Sequence, residues 1–163
     1  MSDIAEILPA GADLPACDHR LVRLHRYWQS IRPAPEALPG RQHFDPAAVR
    51  DLLALIWLID VHRAPLRFKY RLVGTVHVDA EGRNPTGLWL DEAHQRFAAS
   101  SAYPQFVAAA TEGRIAFYRG PPAYVIKKDY IAIERLILPL AADGREVDVL
   151  LGITVLNPQT LPP

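Results

Sequence analysis

Six histidines stand at positions 19, 25, 43, 62, 77 and 94. No two of them are four apart on a helical stretch and no His-Glu-x-x-His run occurs, so the spacing that sets two imidazoles around a metal is missing. The single cysteine, Cys17, allows neither a disulfide within the chain nor a cysteine-based metal site. Ser100 and Ser101 lack the Gly-x-Ser-x-Gly surroundings of a nucleophile elbow and suit the end of a helix instead. Asp91-Glu92-Ala93-His94 spells a helicase box, but no phosphate-cradling loop precedes it and the chain is too short for a helicase core. No catalytic and no metal-ligating residue is assigned on this pattern. Glu134 and Arg135 are of another kind, two charges inside an apolar run. Alternation points them to opposite faces of a strand, either as ordinary cross-strand charges or with one of them reaching a cavity beside Tyr70 or Tyr118.

The elements that must carry these residues are read from pattern. Phe68, Tyr70, Leu72, Val76 and Val78 alternate with Lys69, Arg71, Thr75 and His77, the two-residue period of a half-buried strand. This run, residues 66–78, ends in the turn-rich stretch 79–87. Residues 55–61 are apolar and β-branched and read as a central strand beside it. Further strands are expected at 115–119, 124–140 and 146–156, the last two joined through Asp143-Gly144, a strong hairpin signal. Asp18 is a good N-cap, and Leu21, Leu24, Tyr27, Trp28 and Ile31 fall in an arc of about 120° on the helix it opens. Pro33, Pro35 and Pro39 close that helix in a stiff connector. Asp45-Pro46 starts a short helix, and Pro104 and Gly113 bracket another.

With 163 residues, half of them hydrophobic, the chain suits one domain with an appended helix. Eighteen basic residues balance eighteen acidic ones, which argues against nucleic acid or a membrane surface as partner. No segment reaches the roughly 20 apolar residues of a membrane span, and the acidic N-terminus is unlike a signal peptide. A cytoplasmic location is expected.

The order of elements, with Tyr27-Trp28-Gln29-Ser30, Leu38-Pro39-Gly40-Arg41, Phe44-Asp45-Pro46, Leu58-Ile59-Asp60-Val61, Tyr70-Arg71-Leu72-Val73-Gly74-Thr75, Gly82-Arg83-Asn84, Thr86-Gly87, Leu138-Pro139-Leu140 and Asp143-Gly144, resembles a PAS domain. It is similar in particular to bacterial PAS-like proteins that are little more than the domain. The resemblance implies an α+β fold: a five-stranded antiparallel sheet, short helices over one face, a cavity between them, and an N-terminal helix. Residues 1–17 are then a flexible arm, 18–32 the amphipathic helix and 33–158 the domain. Asn84-Pro85 depart from the Gly-Arg-Asp-Leu-Thr-Gly crossover commoner in that family, so ligand preference does not carry over. His94 lies just before the helix that supplies the axial ligand in haem-binding PAS domains. Flavin photosensors of the fold use a cysteine on the helices after the second strand, where this chain has none. Neither haem nor flavin is expected, and the cofactor stays unknown.

The resemblance implies a sensory or regulatory module that binds a small molecule or a protein partner without catalysis. A dimerisation module with a filled core is the alternative, and a small α+β isomerase or dehydratase ranks last. Expected around the ligand are Tyr70, Leu72, Phe106 and Tyr118, with Arg71 or Glu134 as polar anchor, in a cavity between the sheet and the 88–113 helices. Leu24, Trp28 and Ile31 are expected to bury themselves against a sheet or a second copy, giving a homodimer.

Overall fold

In Ile133-Glu134-Arg135-Leu136-Ile137-Leu138-Pro139-Leu140 every residue is buried, charges included. A strand with one wet face alternates; one buried throughout must be covered on both faces. The computed structural model, which describes residues 3–124 and 132–158, shows how this comes about. Along the chain run β1 (Ile4–Leu8), α1 (His19–Ser30), 3-10 turns at Arg41–His43 and Pro46–Leu55, β2 (Ile56–His62), β3 (Arg67–Val73) and α2 (Thr75–Glu81). Next come α3 (Leu90–Ala93), α4 (Tyr103–Glu112), β4 (Ile115–Gly120), β5 (Ile133–Leu140) and β6 (Val149–Leu156). The strands form one antiparallel sheet in the order β1-β4-β5-β6-β2-β3. On one face α4 meets β4, β5 and β6; on the other α1 packs against β5 and β6.

The α+β class and the antiparallel sheet are as expected, and three details are corrected. First, residues 4–8 are not part of a loose arm. They pair along β4 from Ile4↔Arg119 to Leu8↔Ile115 and make a sixth, edge strand. Second, the strand expected over 66–78 stops at Val73, and Thr75–Glu81 is a helix. Gly74 sets the break. A Cβ there would lie 2.3 Å from the Ala54 carbonyl oxygen, and the Gly74 N–H donates to Ile56 O at 2.7 Å. The chain therefore turns hard against the start of β2, and the strand preference of Thr75, Val76 and Val78 yields to that packing. Of the strand expected over 124–140, residues 125–131 lie outside the described residues, and β5 begins at Ile133.

Third, α1 packs on this chain's own sheet and not on a second copy. Asp18 caps it, accepting from Arg20 N at 3.0 Å, and Leu21, Leu24 and Trp28 are fully buried beneath it, with Ile31 partly buried. The Trp28 indole Nε1 donates to Pro139 O of β5 at 3.0 Å. Leu24 and Trp28 are thus part of this chain's own second layer and have no surface left for a partner. The helix stripe and a sheet as one of its two targets were legible; that the sheet is this domain's own, and not a second copy's surface, was not.

Truncating Trp28 to Ala removes a fully buried indole and its bond to β5. It should cost about 3–5 kcal/mol of stability, as large aromatic truncations do, with the sedimentation profile of the folded fraction unchanged. Guanidinium denaturation and analytical ultracentrifugation check both; unchanged stability with an altered oligomer size would restore the dimer-interface reading.

Candidate ligand cavity

Gly152 on β6 stands opposite Trp57 on β2. A Cβ at 152 would lie 2.0 Å from the indole ring, so only glycine lets Trp57 lie flat across the sheet. The indole is fixed there on both sides: Nε1 donates to Thr154 Oγ1 at 3.0 Å, and Phe106 of α4 stacks on it with ring centroids 5.7 Å apart and planes 14° from parallel. Such a pair is worth about 0.5–1.5 kcal/mol beyond the area it buries.

The flattened indole leaves room above it. A cavity of about 80 Å³ lies between the sheet, α2 and the segment 122–124. One water needs roughly 10–15 Å³ of such space, so several waters or a small molecule fit. From the sheet come Trp57, Tyr70, Val73, Ile133, Arg135, Thr154 and Leu156; α2 contributes His77, Ala80 and Glu81, and Tyr124 closes the remaining side with Pro122 and Ala123.

Its polar wall is built from buried groups. The Tyr70 hydroxyl and His94 Nε2 share a hydrogen bond of 2.8 Å, and Tyr124 meets the His94 ring edge-on at 5.1 Å. Burial lifts the Tyr70 phenol well above its ordinary value, with Tyr124 and Glu81 adding to the rise. Burial also pulls His94 down to about 4, helped by the Arg83 guanidinium; Glu81, 3.9 Å away, does not hold a proton on the ring. At neutral pH both partners are uncharged. Arg135, on the same wall, is 1% exposed and donates to Gln105 Oε1 at 3.0 Å.

A family model described as a PAS domain matches residues 17–155. The chain belongs to the PAS-domain family. No curated protein and no solved structure shows significant similarity to it. PAS domains are in general sensory or regulatory modules, and the matched segment includes α1 as well as the sheet and its inner helices. Among the described residues, no helix is long and apolar enough to cross a membrane, and no group of three or more His, Cys, Asp or Glu side chains is placed to hold a metal ion.

Of the ligand residues expected from sequence, this PAS domain brings only Tyr70 to the cavity wall. Leu72 is 44% exposed. The reason is a bulge: Ile59 pairs with Tyr70 but Leu58 with Leu72, leaving Arg71 as an extra residue. One inserted residue reverses the alternation, so Phe68, Tyr70 and then Val73 face inward. Arg71 is exposed and lies 3.5 Å from Asp60. Phe106 stacks on Trp57 and does not line the space. Tyr118 sits behind Arg135, its ring centroid 4.9 Å from the guanidinium, and its hydroxyl donates to Pro121 O at 2.6 Å. Glu134 faces the α1 side, where Arg119 lies 3.5 Å away and the Asp18 N–H donates to it at 3.0 Å. The charge on the cavity wall from β5 is its neighbour Arg135, and α2 with segment 122–124, not the 88–113 helices, encloses the space.

His94 gives a pH signature. Unfolded, it takes up a proton near 6.5; folded, only near about 4. Between those values the unfolded chain binds more protons, so stability falls as pH drops, by on the order of 3 kcal/mol. His25 and His77, also lowered by burial, act in the same direction. Urea denaturation between neutral pH and about 4 should show a shallower loss for His94→Gln than for wild type; identical slopes would refute the assignment.

Proposed function

We propose that this PAS domain is a sensor that holds a small molecule in the Trp57–Tyr70–Arg135 cavity without transforming it, and reports occupancy to a protein partner in the cytoplasm. The observation that carries the reading is the open volume itself. Trp57, Tyr70 and Tyr124 border about 80 Å³ of space that no side chain fills, with a buried cation on its wall.

The chemistry of the wall supports binding over catalysis. A general acid or base works best with a pKa near the operating pH. Tyr70 and His94 are moved in opposite directions, each away from neutrality, so their hydrogen bond is a fixed strut. Cys17 is buried near Glu134, on the α1 side, its thiol pushed up to about 12 by burial first and Glu134 second, and it is inert as a nucleophile. Ser100 Oγ donates to Phe97 O at 2.7 Å, in the turn between α3 and α4 and not at a helix end. The size of the space supports a ligand much smaller than haem or flavin, and His94 is already engaged by Tyr70.

Ala80 of α2 lies on the wall and is only partly buried, so Ala80→Phe should fill the cavity at little cost to the fold. Native mass spectrometry should find a small molecule on the wild-type protein, or fragment binding by ligand-observed NMR where none is retained, and neither on the variant. A wild-type protein that carries nothing and binds no fragment would leave the filled-core dimerisation module in its place.

A further inference from the structure

Two adjacent charges sit on β5, and they are treated differently. Glu134 is answered on the α1 side by Arg119 at 3.5 Å and by the Asp18 N–H at 3.0 Å. Arg135, opposite Tyr118 and Thr154 in the sheet, points to the cavity side. Its surroundings are aromatic: the guanidinium carbon lies 4.9, 5.7 and 5.8 Å from the ring centroids of Tyr118, Phe106 and Tyr124. One terminal nitrogen donates to Gln105 Oε1 and the Tyr124 hydroxyl also supports the charge, while Nε is buried with no hydrogen-bond partner. Among the described residues no carboxylate lies within ion-pair distance. An arginine cannot shed its charge, and the faces of aromatic rings answer only part of it. A buried cation of this kind, with donors unspent and a cavity in front of it, fits a site whose counter-charge arrives with the ligand.

This rests on the proposed ligand cavity and names what it takes. A neutral ligand would bring no charge to the free Nε–H of the guanidinium. A phosphate dianion would bring two charges to a single guanidinium that has already committed one donor, and would face Glu81 across the cavity. A planar carboxylate matches the guanidinium fork with one charge, and Trp57, Val73, Ile133 and Leu156 offer its body an apolar stretch of wall. We infer that the cavity takes a small monocarboxylate, its carboxylate against Arg135 and its apolar body against Trp57, Ile133 and Leu156.

The test compares benzoate with benzamide, which keeps the shape and loses the charge, and with inorganic phosphate, by calorimetry and by NMR of ¹⁵N-labelled protein. Benzoate should bind on the order of tenfold or more tighter than benzamide, phosphate should not bind, and Arg135→Gln should abolish the preference while leaving benzamide affinity as it was. Should Arg135→Gln fail to fold, the wild-type Arg135 Nε–H resonance decides: benzoate should shift it and benzamide should not. Equal affinity for the two overturns the carboxylate inference but keeps the cavity as a ligand site. Phosphate binding in preference to benzoate overturns it in favour of a dianion. No binding of any probe, with cavity resonances unmoved, overturns both readings.

Discussion

The double burial of β5 governs this molecule. A central strand covered on both faces has no solvent to dispose of charge, yet it carries Glu134 and Arg135 side by side. Each must be met within its own layer, because removing one partner of a buried charge typically costs about 3–5 kcal/mol. The α1 side meets Glu134 with Arg119 and the backbone at the Asp18 cap. In this way the helix start, the end of β4 and the start of β5 are tied at one point. The inner side meets Arg135 with rings and one amide, and leaves the cavity in front of it.

The same covering explains β1 and the cap region. Without α1, the β5–β6 surface that receives Leu21, Leu24 and Trp28 would be an exposed apolar face of a kind soluble domains rarely leave open. With α1 in place, the chain before it is drawn across the edge of β4, where Ile4–Leu8 pairs. An edge strand that would otherwise offer free N–H and C=O groups is closed by the chain's own start.

Much of the fold could be read from residues: Asp18 and Asp45 as caps, Pro104 and Gly113 as helix bounds, and Asp143-Gly144 as the turn between the last strands. There Gly144 takes φ 83° and Asp143 Oδ1 accepts from Arg145 N and Glu146 N at 2.8 Å each. What local pattern could not hold were non-local facts. Thr75–Val78 has strand-like side chains, but the Ala54 carbonyl decides what Gly74 does. Leu72 shares a period with Tyr70 in sequence, but a bulge opposite Leu58–Ile59 separates them. Alternation shows that Glu134 and Arg135 diverge and cannot show which face is inner. Trp57 and Gly152 carry no motif at all; a glycine in an otherwise bulky strand is the signal of a close approach that could have paired them.

That pairing has an optical consequence. The chain has three tryptophans, and the sheet separates their environments. Trp28 is sealed under α1, with its N–H committed to a backbone carbonyl. Trp89 lies at the sheet's edge beneath the Arg67 guanidinium, 4.0 Å from its ring centroid. Trp57 alone of the three borders the cavity. Its emission wavelength and quenching therefore depend on what fills that space, whereas the other two supply a steady background. The protein contains an intrinsic fluorophore on the wall of its cavity, readable without any label.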